Sequence, residues 1–363
     1  SLAQSPQESH LTTMPVFQHD ATPGNTGQNP VVAEVTRGNT VESVHRGAFA
    51  VVNTEGRAVL AAGDIEQPIF PRSAVKPIQA LPLIESGAAD AYALYAAQLA
   101  LACASHNGEP DHVAAVEAWL ARIGCGESDL VCGGNPPLAE AARESFYRRN
   151  ESLRPVSDNC SGKHTGFLTL ARHLDAPTAG YNTLTHAVQQ RILGTLEAMS
   201  GLEGLDRQPH GRDGCGIPAF TLPLGNIALA MARFGDPEDQ PESRQAACAR
   251  LRASMAAHPW MVAGTGRFCT DAMTALQGRV LVKIGAEGVC VASLPALGLG
   301  LVVKIDDGAA RAAPVVVGAL LRKLEVLDDA AVASLKPHIA PELQDRTPSR
   351  AVVGALRPNA AIF

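Results

Sequence analysis

The run His45-Arg46-Gly47-Ala48-Phe49-Ala50-Val51-Val52-Asn53-Thr54-Glu55-Gly56-Arg57-Ala58-Val59-Leu60-Ala61-Ala62 sets two short apolar blocks, Ala48 to Val52 and Ala58 to Ala62, on either side of Asn53-Thr54-Glu55-Gly56. Blocks of strand length around a turn bearing Asn and Gly predict a β-hairpin, so the chain opens on strands. From about Ser73 to Ala257 the pattern becomes helical. Val113, Val116, Leu120 and Ile123 recur on one face, and Gly124 stands where a helix stops. The stretches 184–199, 222–234 and 242–256 read the same way. Past Gly278 strands return as Val280 to Ile284, Val289 to Leu294 and Gly298 to Ile305, and a helix over about Ala309 to Leu327 follows.

Strands at both ends of a helical middle predict an α+β fold. An antiparallel sheet is formed by N- and C-terminal strands, 31–72 and 275–363, with a helical subdomain of about 73–274 between them. A doubly wound parallel sheet fits less well, because strands and helices do not alternate and no Rossmann fingerprint follows a strand. Residues 1–30 are expected to be a polar, partly disordered N-terminal extension, leaving 31–363 as a single domain. The segment 330–363, with its apolar Ala351 to Leu356, is expected to add an edge strand or to support a partner subunit.

The 363 residues are 46% hydrophobic and 18% charged, which suits a folded core and excludes disorder and fibres. A net charge of -6 disfavours nucleic acid as a partner. No run approaches the ~18 apolar residues of a membrane span, and no secretory signal is written, so a cytoplasmic protein that does not enter membranes is expected. Eight cysteines lie without a C-x-x-C pair, so they read as reduced, buried thiols. Only six of the thirty basic residues are Lys, at 76, 163, 283, 304, 323 and 336. In a chain that uses Arg for ordinary charge, a Lys marks a place where a removable proton matters.

Ser73-Ala74-Val75-Lys76 is an S-x-x-K box, and a helix starting near Ser73 would put the Lys76 amine on the face of the Ser73 hydroxyl, as a general base if burial lowers its pKa. Ser105-His106-Asn107 then offers S-x-N, and Lys283-Ile284-Gly285 offers K-x-G on a strand. These boxes follow the order used by serine β-lactamases and penicillin-binding proteins. A literal Ser157-Asp158-Asn159 competes for the middle place. The cluster Asp158-Asn159-Cys160-Ser161-Gly162-Lys163-His164 is not a P-loop, because Ser157 and His164 stand where that motif needs Gly and Ser or Thr. With Cys215 of Asp213-Gly214-Cys215-Gly216, spacing alone makes Cys160, His164 and Cys215 a zinc trio, or else the cysteines are structural thiols.

Taken together, Phe70-Pro71-Arg72-Ser73-Ala74-Val75-Lys76-Pro77, Cys103-Ala104-Ser105-His106-Asn107-Gly108-Glu109, Asn159 to His164, Asp213 to Gly216 and Lys283 to Gly288 resemble the asparaginase II family of rhizobial type. The resemblance runs from about Pro30 to the C-terminus. It implies a fold like serine β-lactamases and glutaminases, a homodimer, and hydrolysis of L-asparagine to L-aspartate and ammonia. It implies two Ser-Lys pairs, Ser73 with Lys76 and Ser105 with Lys283. It also implies zinc held by Cys160, Lys163 and Cys215, in place of the trio suggested by spacing. Arg72, His164 and Asp213 become candidates for binding the amino acid, and zinc is expected to support that binding rather than the chemistry. The alternatives are a glutaminase, β-lactam or ester hydrolase on the same Ser-Lys machinery, a zinc hydrolase using metal-bound water, and a non-catalytic zinc- or amino-acid-binding protein.

Overall fold

The hairpin that opens the sequence is where the sheet is centred. In the computed structural model, which describes residues 28–138, 140–150 and 152–363, the chain runs through β1 (Val31–Arg37), β2 (Thr40–Asn53) and β3 (Ala58–Ala62). Asn53 Oδ1 accepts the N–H groups of Glu55 and Arg57, and Gly56 takes φ +81°, a turn conformation that glycine adopts without strain. The register sets Phe49 against Ala62 and Val51 against Leu60.

The chain then forms two small pairs and the rest of the sheet. The short strands are β4 (Pro68–Ile69), β5 (His210–Arg212), β6 (Pro218–Phe220) and β7 (Leu222–Pro223). The sheet continues with β8 (Leu281–Ile284), β9 (Val289–Leu294), β10 (Leu299–Ile305), β11 (Glu342–Gln344) and β12 (Val352–Pro358). Its eight strands are antiparallel in the order β11-β12-β1-β2-β10-β9-β8, with β3 also on β2. N- and C-terminal strands thus build one sheet around a helical middle, the α+β arrangement expected from the sequence. The run from Ala351 to Leu356 does not lie at the edge: β12 pairs with β1 on one side and β11 on the other, which leaves β11 outermost.

Every residue of β9 is buried, and β10 is buried except for the half-exposed Lys304. A strand buried on both faces needs cover on both, and the helices Leu224–Gly235 and Ala312–Lys323 pack on these strands. A Cβ on Gly300 of β10 would overlap the carbonyl oxygen of Ala228, so this glycine sets how closely the first helix lies. Between the sheet halves, Pro110–Arg122 begins with Pro at its first turn and ends before Gly124 at φ +68°. Two features went unread in the sequence. Strands β5 and β6 form a hairpin whose turn carries Asp213 to Cys215, and β4 pairs with β7. Most of the expected N-terminal extension lies outside the described residues.

Candidate active site

Three of the six lysines, Lys76, Lys163 and Lys283, are 1–2% exposed. Burying an amine this completely requires partners, and the partners define the site. Lys76 follows the 3-10 turn Arg72–Val75 and donates to the Ala104 carbonyl, to Ser105 Oγ at 3.0 Å and to Cys160 Sγ at 3.2 Å. Lys283, on β8, donates to Ser105 Oγ at 2.8 Å and to the Ile284 carbonyl at 2.9 Å. Burial lowers the pKa of Lys283 to about 7, helped by the charges of Lys76 and Arg267 and opposed by Cys269 and Cys160. The middle box is therefore Ser105-His106-Asn107. Ser157 spends its hydroxyl on the Asn135 and Arg154 carbonyls.

The expected contact between Ser73 and Lys76 is not made. Three acceptors surround the Lys76 amine, and among the described residues no hydrogen bond joins it to Ser73, which is half-buried. The box that carries Lys283 nevertheless packs on the segment that carries Ser73. A Cβ on Gly285 of the K-x-G box would lie 2.6 Å from the Pro71 carbonyl oxygen and 3.2 Å from the Ala74 nitrogen. Glycine there lets the end of β8 close on the Ser73 turn.

A sulfur and amine cluster continues from Lys76. Lys163 Nζ donates to Cys215 Sγ at 3.0 Å, and Cys215 in turn shares its proton with Cys160. That bond, with Lys76 and Lys163 beside it, lowers the pKa of Cys160 against the cost of burial, while the same bond and burial raise that of Cys215. Burial alone would lower the pKa of Lys163, but Cys160 and Cys215 outweigh it and keep the amine charged. His164 does not join this cluster: its Nδ1 lies 2.7 Å from the Tyr181 hydroxyl. Among the described residues no group of three His, Cys, Asp or Glu side chains gathers as a metal site, which overturns the trio of Cys160, His164 and Cys215. The three converging donors are Cys160, Lys163 and Cys215. Two sulfurs and an amine are donors that a borderline-soft cation such as zinc accepts once the amine gives up its proton.

Arg72 lies next to this cluster, with φ +52°, a left-handed conformation unfavourable for a residue with a Cβ. The turn aims its guanidinium at Asp213 Oδ1, at 3.0 Å from Nε and 2.8 Å from Nη2. Burial would raise the pKa of Asp213, but Lys163 and Arg72 pull it below the ordinary range. His164 is fully buried, and burial holds the ring neutral with Lys163 and Lys76 acting in the same direction. The sites inferred for catalysis, metal and amino acid thus adjoin one another.

The family profile described as L-asparaginase II matches residues 33–358, nearly the whole chain. The chain belongs to the L-asparaginase II family. Membership places it among amide hydrolases. No curated protein matches it. Among solved structures, Mglu in its native form aligns with TM-score 0.41 and 13% identity over 79% of this chain and 63% of that one, less than two thirds of its length. A β-lactamase from Mycobacterium bovis aligns with TM-score 0.36 and 17% identity over 76% of this chain and 94% of that one.

In this L-asparaginase II chain the sequence reading missed the residues that brace the Ser105 loop. Arg267 donates to Asn107 Oδ1 at 2.8 Å, and Glu109 accepts from Asn107 Nδ2 and from the Thr265 N–H. His106 accepts from the Gly108 N–H at Nδ1, so its Nε2–H donates to Ser161 Oγ at 2.9 Å and ties the loop to the helix Ser161–His173. Arg267 and Thr265 lie in no recognisable spacing, because they reach the Ser105 loop from about 160 residues along the chain. Among the described residues no helix is long and apolar enough to cross a membrane. All eight cysteines are free thiols, as the missing C-x-x-C spacing suggested.

Proposed function

We propose that this protein is an L-asparaginase that hydrolyses L-asparagine to L-aspartate and ammonia through an acyl-enzyme on Ser73. The observation that carries this reading is Ser105 Oγ, held 3.0 Å from Lys76 Nζ and 2.8 Å from Lys283 Nζ beside the turn bearing Ser73. Two amines around one hydroxyl form a proton relay. A Lys283 amine near pH 7 accepts a proton at neutrality, when an ordinary lysine is charged.

Ser73 Oγ attacks the side-chain carbonyl carbon, and its proton passes into the relay of Lys76, Ser105 and Lys283. The developing oxyanion takes hydrogen bonds from backbone N–H groups, including that of Ser73 at the unsatisfied start of its turn. The relay returns the proton to the leaving nitrogen, and ammonia departs as the ester forms. Water, deprotonated through the same relay, then attacks the ester, aspartate leaves and the proton returns to Ser73. This route gives the first proton to the relay as a whole, where the sequence reading put Lys76 first with Ser105 and Lys283 as relay, leaving-group acid or tuning charge.

Arg72, Asp213 and His164 are proposed to hold the amino-acid end of the substrate, the guanidinium facing its carboxylate and the Asp213 carboxylate its ammonium. Zinc is proposed at Cys160, Lys163 and Cys215. Bound there, the cation would supply a fixed positive charge that orders this end of the site. The family resemblance supports a homodimer, which mass measurement in solution tests, and the reading of the cysteines as reduced thiols supports a cytoplasmic setting, which cell fractionation tests.

The test of substrate is ammonia release from L-asparagine, with L-glutamine and a β-lactam alongside, in the wild type and in Ser73→Ala. Release from L-asparagine that vanishes in Ser73→Ala is the expected result. Turnover of the other substrates alone, or normal release by Ser73→Ala, overturns it.

A further inference from the structure

His164 Nε2 is a buried polar atom with no hydrogen-bond partner among the described residues. Leaving a buried donor or acceptor unpaired is costly, so such an atom points to a ligand. Whether it offers a hydrogen or a lone pair depends on the other ring nitrogen, and the neighbours of Tyr181 decide that.

The Tyr181 hydroxyl has two contacts. It accepts the Val131 N–H at 3.1 Å and lies 2.7 Å from His164 Nδ1. The Val131 N–H cannot receive the phenolic hydrogen, so among the described residues the acceptor that satisfies it is His164 Nδ1. Nδ1 is then an acceptor without hydrogen, and the neutral ring carries its single N–H at Nε2. Tyr181 is itself fully buried, and its carbonyl accepts from Gln189 Nε2 at 2.9 Å, so the phenol is anchored at both ends. The ring of His164 is packed between Tyr181, at 5.6 Å between centroids, and Phe167, at 6.0 Å.

We propose that Tyr181 is a positioning residue that fixes His164 as the Nε2–H tautomer, so that His164 donates a hydrogen bond to an oxygen of the bound amino acid. This rests on the reading of the site as an asparaginase, and it adds both the atom that makes the contact and the residue that sets it. A donor that carries no charge suits a ring beside Lys163 and Lys76: it binds an oxygen without adding a third positive charge.

The test is long-range 1H–15N correlation NMR on protein labelled with 15N-histidine, with the His164 signals identified by their absence in His164→Gln. The wild type is expected to show a protonated Nε2 and a bare Nδ1, and Tyr181→Phe to shift the ring toward the opposite tautomer. L-aspartate added to the wild type is expected to move the Nε2–H signal. In kinetics, Tyr181→Phe should raise KM about tenfold, the equivalent of one neutral hydrogen bond, with kcat largely kept, and should melt below the wild type because the Val131 N–H loses its acceptor. His164→Gln, whose amide nitrogen reaches the Nε2 position, should retain more activity than His164→Asn. A wild-type ring protonated at Nδ1, no tautomer change in Tyr181→Phe, or an Nε2–H signal that ignores L-aspartate overturns the proposal. Failure of the wild type to release ammonia from L-asparagine would instead overturn the substrate reading, and the tautomer measurement would still decide the role of Tyr181.

Discussion

Lys76 and Lys283 meet at one atom: Ser105 Oγ accepts from the first at 3.0 Å and from the second at 2.8 Å. Burial lowers the pKa of Lys283 to about 7, with the Lys76 charge acting in the same direction, so Lys283 releases its proton near neutrality. The pair therefore joins one proton donor to one proton acceptor through a single hydroxyl.

The sign of the pH dependence follows. Lys283 is neutral above about pH 7 and charged below it. As the acceptor of the relay it loses function when protonated, so kcat/KM should fall as the pH drops through about 7. Lys283→Met, which keeps the length and removes the amine, should lower kcat by about 10²–10⁴-fold, the usual range for a general base. A steady-state pH profile of both proteins checks this, and a wild-type profile flat from pH 6 to 8 would contradict it.

Arg72 separates stability from binding. Its φ of +52° costs a residue with a Cβ on the order of 1 kcal/mol, a cost that glycine does not carry. Arg72→Gly loses the pair with Asp213 but gains that relief, so its thermal midpoint should stay within a few degrees of the wild type. Arg72→Ala loses the pair and keeps the strain, and should melt lower. Both should raise KM for L-asparagine by about 10–100-fold, the cost of one charge-assisted contact. Equal KM values in wild type and variants would remove Arg72 from the binding site.

Metal removal bears on affinity rather than on the nucleophile. After dialysis against a chelator, KM should rise while kcat is largely kept, and added zinc should restore KM. Cys160→Ser and Cys215→Ser should each bind less zinc, measured by elemental analysis. Complete loss of kcat on chelation, with Ser73→Ala still active, would favour a metal-activated water instead.

Gly162 tests how the cluster is held. In an open helix Gly→Ala stabilises by about 1 kcal/mol. Here a Cβ would overlap the carbonyl oxygen and the side chain of Leu101, whose helix Ala96–Ala102 leads into Ala104 and Ser105. Overpacking of that kind costs about 1–3 kcal/mol, so the steric term wins and Gly162→Ala should lower the urea midpoint. An unchanged or higher midpoint would show that the two helices separate at little cost.

Much of this was legible in the sequence. The hairpin around Asn53 to Gly56, the three strands after Gly278 and the helix stop at Gly124 lie where local signals placed them, because Asn, Gly and Pro punctuate apolar runs of the right length for each element. The β5–β6 hairpin was not legible, since three-residue strands are too short to show a period. The scarcity of lysine was informative: the three lysines of the site are the buried ones, while Lys304, Lys323 and Lys336 are not. What spacing could not give was the direction of the Lys76 amine. Ser73 and Lys76 lie three residues apart, yet the side chain turns to Ser105 and Cys160, which are close only in the folded chain. The role of Tyr181 was hidden for the same reason, its partners being Val131 and His164.

The most direct test of the central claim is to quench the enzyme during turnover of L-asparagine and locate the acyl group by peptide mass spectrometry. An aspartyl ester on the peptide bearing Ser73, absent from Ser73→Ala and longer-lived in Lys283→Met, is the predicted result. An ester on Ser105, or ammonia release with no ester on any serine, would contradict it.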